Sequence, residues 1–510
     1  MLAIVVSRAD SASLHIGKRL REVADWTGHD DPTRPDADGG GTVYRSGRWA
    51  ADATEDDRDA PIELREFDAL HLETEGVADA FRRVAEGPER SPDLLVFASR
   101  HAGETGPLLT AHHTGNVGPA EFGGADGAFA RACPSAHRRV LGALAEHAPG
   151  RYEVGMECTH HGPTDVGAPS MFVELGSGED EWQDPAGARA VARAIRDLRG
   201  VDPDLPAESA DDSGSGTGER RHLVGVGGGH YAPRFERVAR ETDWAVGHVA
   251  ADWALDELDD AGSETERAVL RAAFRESAAT RALVDGEAPA VERAVERLGY
   301  RVVSETWVRE TTGVPLPVVA TLESVLGPVE AGVRFGDRAR VDGGGDPDPD
   351  STGGGAGAAD GSGESAPDPL ELSAEDVVVA SLPSALLAET QGIDAEATRA
   401  AVEAATLAFE TTESGTRAGG RAAFAAPADR ESLVEDLAAV LEREYEVERV
   451  EGALLAHERA FDPERARTLG VSEGPKFGRL ADGQPVEVDG EEIPPETVHV
   501  EREHRFPIEE

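Results

Sequence analysis

The stretch Leu94-Leu-Val-Phe-Ala-Ser-Arg-His101-Ala-Gly-Glu104 decides the fold. An apolar run from Leu94 to Ala98 breaks into Ser, Arg, His and Gly. A run that short, bounded by turn residues, reads as a strand buried on both faces, the kind a parallel sheet requires. A helical pattern at 76–84 precedes it. Working outward, residues 2–7 read as a strand and 11–23 as a helix with Ser11 as its candidate cap. Residues 153–158 and 171–175 are further strands, and Asp184-Pro185 supplies an N-cap and a first-turn proline for a helix over 186–198. Residues 223–226 form a strand leading to a helix opened by Pro233, then a strand at 244–249 and helices at 264–284 and 288–298. Strands alternating with helices at this spacing give an α/β fold with a largely parallel sheet flanked by helices.

Three segments interrupt the pattern. Residues 28–60 and 207–219 read as insertions unable to order themselves, and 342–369 as a flexible linker without an aromatic residue. The expected organisation is a catalytic α/β domain over 1–341 and an accessory α+β module over 370–510. Within the module, 374–380, 393–409 and 430–444 supply a strand and helices.

The net charge is −49, and all but two of the 50 basic residues are arginine, Lys18 and Lys476 being the exceptions. Such a surface suits a protein working in molar salt, where the screening length falls to ~3 Å and dense carboxylates repel little. A nucleic-acid partner, which the charge would otherwise argue against, is therefore not excluded. The longest apolar runs fall far short of the ~20 residues of a spanning helix. The first residues read as a strand and not a leader, so a cytoplasmic protein without membrane attachment is expected, and a monomer in the absence of an apolar patch. Cys133 and Cys158 are the only cysteines, so any metal must rest on His and carboxylates.

The chemistry lies in the glycine-rich loops that follow the strands. They carry Arg100-His101-Ala-Gly-Glu104, His112-His113-Thr-Gly, Cys158-Thr-His160-His161-Gly and Gly227-Gly228-Gly229-His230-Tyr231. In open α/β sheets the carboxyl ends of strands bind ligands, so these loops can converge on one crevice. Neutral imidazole suits general-base work, and backbone N–H groups in glycine loops can receive a developing oxyanion. Candidate catalytic residues are His101, Glu104, His160, His161 and His230. Arg100, Gly227, Gly228, Gly229 and Tyr231 are candidates for substrate binding, and His112, His113 and Glu174 for a metal. Glu174, in an apolar strand end, is either a salt-bridged structural group or a site carboxylate. Extended adjacent histidines point to opposite sides, so one of each pair would ligate. Cys158 is either a nucleophile or a buried inert thiol. Gly227-x-Gly229-x-x-Ala232 after a strand leaves a dinucleotide site open.

Several strings together resemble the archaeal and plant type of D-aminoacyl-tRNA deacylase. They are Ile4-Val-Val-Ser-Arg-Ala-Asp10-Ser-Ala-Ser, residues 99–116, Gly155-Met-Glu-Cys-Thr-His-His-Gly-Pro-Thr164, Pro169-Ser-Met-Phe-Val-Glu-Leu-Gly176 and Gly225-Val-Gly-Gly-Gly-His-Tyr-Ala-Pro-Arg-Phe235. The resemblance spans about residues 1–335. It implies a core similar to nucleoside phosphorylase and peptidyl-tRNA hydrolase folds, hydrolysis of the ester of D-aminoacyl-tRNA, and zinc. With it, His160 or His161 becomes the base or a metal ligand, and Arg100, Arg234 and Arg309 become candidates for the tRNA end. A phosphorylase or nucleosidase, and a non-catalytic tRNA-binding protein, are the rival readings.

Overall fold

The computed structural model describes residues 1–47, 60–82, 91–208, 218–261, 263–340, 372–488 and 490–508. They form two compact units, Met1–Thr312 and Gly313–Glu510. The expected linker at 342–369 lies outside the described residues.

In the first unit the strands are, in chain order, β1 (Leu2–Ser7), β2 (Thr27–Asp31), β3 (Gly41–Ser46), β4 (Ile62–Phe67), β5 (Leu94–Arg100), β6 (Leu108–His113), β7 (Gly115–Asn116), β8 (Glu153–Met156), β9 (His160–His161) and β10 (Ser170–Gly176). Eight of them form one sheet in the order β2-β3-β4-β1-β5-β10-β6-β8. The central β4, β1, β5 and β10 run parallel, whereas β6 and β8 run parallel to each other and antiparallel to β10. Every residue of β1 and β10 is buried, as both-face coverage demands. Asp10, and not the expected Ser11, caps the helix Ser11–Val23 by accepting from the Ser13 amide, and Asp184 caps Pro185–Arg196 in the same way.

A second sheet holds β11 (His222–Gly227), β12 (Ala245–Ala250), β13 (Arg281–Asp285) and β14 (Arg301–Val303). Its order is β12-β11-β13-β14 and all of it is parallel. The α/β expectation holds, with the parallel strands divided between two sheets.

Two expectations change. The helix expected over 264–284 ends at Glu276, and β13 follows. Ser277 is buried, its hydroxyl accepts from the His248 amide at 3.0 Å, and Ala278 turns to φ 44°. Holding Ser277 in that contact stops the helix and frees Arg281–Asp285 to pair with β11. The insertion at 28–60 contributes an ordered hairpin, since β2 and β3 pair antiparallel on the sheet edge and the Arg65 side chain reaches Asp31 at 2.7 Å. Its residues 48–59 lie outside the described residues, as do 209–217 of the second insertion. The second compact unit begins at Gly313, and within it Val333–Phe335 pairs with Ala408–Thr412.

The second unit is α+β. A four-stranded antiparallel sheet packs its helices over Phe409, Phe424, Leu433 and Leu437, and Ala453–Phe461 pairs with Glu446–Val450 and His499–Pro507 in a three-stranded sheet.

Candidate active site

Where β5, β6, β8 and β10 of the large sheet face the loop after β11 of the small one, eight polar side chains converge. The junction is made by backbone. Ala232 N–H donates to Met156 O at 2.9 Å, Cys158 N–H to His230 O at 2.9 Å, and Thr159 N–H to Val249 O at 2.9 Å. Residues 156–159 thereby act as a short extra strand between the two sheets. They carry Glu157 and lead into His160–His161, while His230–Tyr231 come from the other side.

Glu157 is the centre of the cluster and is 1% exposed. Its Oε2 accepts from His230 Nε2 at 2.9 Å, and His160 Nε2 lies 3.8 Å from it. Its Oε1 lies 3.1 Å from His101 Nδ1, off the line of a hydrogen bond, and is buried without a hydrogen-bond partner. His101 Nδ1 is also 3.5 Å from Glu174, and its Nε2 is 2.9 Å from the Tyr231 hydroxyl. His112 Nε2 lies 3.8 Å from Glu174, with the His112 ring stacked on Phe172 at 5.1 Å. The His112, His160 and His161 rings lie 4.3 to 4.6 Å apart.

Charge explains why these groups sit together. Burial opposes a proton on His101, but Glu157 and Glu174 outweigh it and raise the imidazole to about 11. Burial alone would raise Glu174, yet contacts with His101 and His112 hold it at about 2. Glu157 is likewise pulled well below the carboxylate range by His101 and His230, against burial. His160 and His161 go the other way. Burial and neighbouring imidazoles hold His161 at about 4 and His160 well below its usual value, so both stay neutral. Burial pushes the Cys158 thiol up to about 12, which makes it the inert alternative and not a nucleophile.

The donor set fits a metal ion. Ligand atoms of His112, His160 and His161 lie within 4.8 Å of one another. Nδ1 of His112 bonds the His113 carbonyl at 3.1 Å and Nδ1 of His160 bonds the Cys158 carbonyl at 2.8 Å. Those bonds turn both Nε2 lone pairs inward, as backbone acceptors do behind metal-ligating histidines. His112 Nε2, His161 Nδ1 and Glu157 Oε1 are buried without hydrogen-bond partners. His113 Nε2 and both His137 nitrogens are orphaned too, but only here do orphans lie beside the buried carboxylates Glu157 and Glu174, a combination that a bound cation would satisfy.

Of the residues singled out from sequence, the structure brings His101, His112, His160, His161, Glu174, His230 and Tyr231 together. Of the catalytic and metal candidates it leaves two outside. Glu104 is exposed on the loop after His101, and His113 faces away from the cluster with its Nδ1 on the Gly247 carbonyl at 3.0 Å. The expected alternation holds for His112-His113 but not for His160-His161, whose two-residue strand places both rings beside His112. Gly227 and Gly228 take φ of 90° and 78°, and a Cβ on Gly227 would lie 2.1 Å from the Asp285 carbonyl, so the loop is shaped by close approach to β13. The Arg100 guanidinium stacks over Trp182 at 5.3 Å. Arg234 and Arg309 are committed to Glu305 and Glu241 at 3.0 and 2.7 Å. Sequence reasoning missed Glu157, although an acid at a strand end is the signal that singled out Glu174.

Comparison with known proteins gives the family. The D-aminoacyl-tRNA deacylase family model matches residues 88–303. A D-aminoacyl-tRNA deacylase of Haloarcula marismortui is 50% identical, covering 100% of both chains. One of Halorubrum lacusprofundi is 49% identical over 100% of this chain and 97% of its own, and one of Natronomonas pharaonis is 50% identical over 99% and 100%. A crystal structure of a conserved protein of unknown function superposes with a TM-score of 0.47 at 27% identity, covering 61% of this chain and 98% of that one. With identity of this order along its whole length, the chain belongs to the D-aminoacyl-tRNA deacylase family.

Proposed function

We infer that this chain hydrolyses the ester joining a D-amino acid to the terminal ribose of tRNA, and that it does so in the crevice around Glu157. The reaction follows from family membership. The placement rests on one observation, a buried carboxylate that engages imidazoles from both sheets, His101 and His230.

His230 is the most open imidazole of the cluster, its side chain 38% exposed, and Glu157 orients it. In this reading His230 takes a proton from the attacking water as the water oxygen bonds the ester carbon. It returns that proton to the ribose oxygen as the ester bond breaks. The Tyr231 hydroxyl, backed by the protonated His101, donates to the carbonyl oxygen as its charge develops. The Gly227–Gly229 loop places backbone beside the same space. Chirality then depends on a wall that the side chain of an L-amino acid would strike.

Zinc is the proposed ion, with His112, His160 and His161 as its ligands and Glu174 behind them, and it would supply Lewis acidity at the ester carbonyl. The acidic, lysine-poor surface and the haloarchaeal relatives support work in a molar-salt cytoplasm, and the protein is proposed to act as a monomer. Among the described residues no helix is long and apolar enough to cross a membrane.

The test is loss of D-tyrosyl-tRNA and L-tyrosyl-tRNA in molar KCl, with and without a chelator. Rapid loss of the D-ester alone, slowed by the chelator, is the expected result. A folded, metal-loaded sample that spares both esters, or that cleaves only when phosphate is added, overturns the reading.

A further inference from the structure

Large apolar side chains are scarce on this surface, and their positions are uneven. Among the described residues the exposed ones are Leu14, Phe122, Trp253, Val379 and Leu469. The two aromatic members, Phe122 at 58% and Trp253 at 45% exposure, are also the two tied to the loops of the crevice. The Phe122 carbonyl accepts from the amide of Gly162, next after His161, at 3.3 Å. Its neighbour Gly123 is held by the Asn116 side-chain amide at 2.8 Å, and Asn116 pairs with His160. On the other side, the Asp252 amide donates to the carbonyl of Gly228, two residues before His230, at 2.9 Å. Trp253 follows at once, in the first turn of the helix Asp252–Ala261. The two supports touch: a Cβ on Gly118, in the Phe122 loop, would lie 2.5 Å from the Glu257 carboxylate of that helix. The backbone at each aromatic is therefore tied to a loop that delivers an imidazole, and each side chain is exposed.

We propose that Phe122 and Trp253 are stacking platforms for the unpaired bases at the 3′ end of tRNA. The proposal rests on the deacylase reading of the same crevice and says how the polynucleotide is held there. An unpaired 3′ end offers bases with both faces open, and aromatic side chains bind such bases without regard to sequence. The charge of the protein favours this mode over phosphate contacts. A chain of net charge −49 repels a polyanion at low salt. In molar salt the Debye length of ~3 Å removes both the repulsion and most of the gain from Arg–phosphate pairs. Stacking is the interaction that survives, since it draws on apolar area and ring geometry.

The experiment uses the full chain and a hexaribonucleotide ending in CCA, with a fluorescent adenine analogue at its 3′ end. Binding is titrated at low and at molar KCl for the parent protein, Phe122→Ala, Trp253→Ala, Trp253→Phe and the control Leu14→Ala. Turnover is followed in parallel on D-tyrosyl-tRNA and on D-tyrosine ethyl ester, which has no base to stack. Each alanine variant at the crevice is expected to raise the Kd by about tenfold. Trp253→Phe and Leu14→Ala should stay near the parent Kd, and binding should persist in molar KCl. Leu14→Ala should cleave the ethyl ester at the parent rate, and the two alanine variants at the crevice should lose about tenfold more on D-tyrosyl-tRNA than on the ethyl ester. Equal Kd values in parent and alanine variants, or no binding by the parent, overturn the proposal. A change of oligomeric state in Phe122→Ala or Trp253→Ala, with unchanged Kd, overturns it in favour of a self-association surface. Aromatic-dependent binding without any D-ester hydrolysis leaves the platforms standing and removes the deacylase reading alone.

Discussion

His112 and His113 are neighbours on β6, both buried, and they belong to different chemistries. On the His112 side the strand faces Glu174, Glu157 and the His160–His161 pair. On the His113 side it faces His137 and His248, with ring centroids at 4.5 and 5.6 Å, and Phe129 beyond. Burial is nearly complete on both sides, so burial is not what separates them. Carboxylates are. Where Glu157 and Glu174 are present, His101 and His112 are raised despite burial. Where no acid is near, burial holds His137 at about 4 and His248 at about 3, and these rings stay neutral, His248 with its Nε2 on the Ala130 carbonyl and His137 with both ring nitrogens unpartnered. A histidine cluster becomes a reactive site when buried anions share it.

The comparison can be broken most directly at its centre. Glu157→Gln keeps the shape of the side chain and removes the charge that orients His230, so D-ester turnover by the folded variant should fall ~10²–10⁴-fold, with a lower thermal midpoint because the buried His101 loses a counter-charge. On the opposite face His137→Leu should leave turnover within about twofold, since no step of general acid–base catalysis involves it. Equal losses in single-turnover assays of the two variants would erase the distinction between the faces.

Metal affinity sharpens it next. Removing the ion should abolish D-ester hydrolysis, and zinc should restore it. Glu174→Gln, which takes a carboxylate from beside His112, should weaken zinc ~10–100-fold in competition with a colorimetric chelator. His137→Leu should leave zinc affinity where it was.

Stability against acid comes third. His137 and His248 bind protons less readily folded than unfolded, so the unfolded chain takes up the extra protons as pH drops. Stability should therefore decline below the ordinary imidazole value near ~6.5, by up to ~1.4 kcal/mol per pH unit for each group. The decline should continue towards about 4 for His137 and about 3 for His248. Denaturant titrations at constant KCl check it, and His137→Leu should flatten the slope.

The smallest effect tests the link between the faces. The Thr159 hydroxyl meets His248 Nδ1 at 3.2 Å and accepts from the Val249 amide at 3.2 Å, one residue before His160. Thr159→Val should cost about 1 kcal/mol of stability, read from the denaturant midpoint.

Much of the frame was legible because it is local. The strand at Leu2–Ser7, the helix at Ser11–Val23 and the Asp184 cap all follow from apolar spacing and capping chemistry within a few residues. The misreadings have non-local causes. The strand Arg281–Asp285 carries a pattern compatible with helix and is set by pairing with β11. The hairpin of β2 and β3 reads as a polar insertion, and it orders because the sheet edge and Arg65 receive it. Glu157 went unnoticed between Met156 and Cys158, since nothing within a few residues says that His230 will come back to it across 73 positions.

The class of the molecule is written in local sequence. That sequence set the alternating strands and helices, the glycine-rich loops with histidines at strand ends, the near absence of cysteine and lysine, and strings close enough to a family to suggest its reaction. Only the tertiary structure decided which of those histidines act together. Insertion of β10 between β5 and β6 sets Glu174 beside His101 and His112, and docking of 156–159 against 230–232 adds Glu157, His160 and His230. Local pattern determines what each segment is, because helix and strand formation depend on near neighbours. The site depends on which segments pair, and strand order is a property of the whole chain.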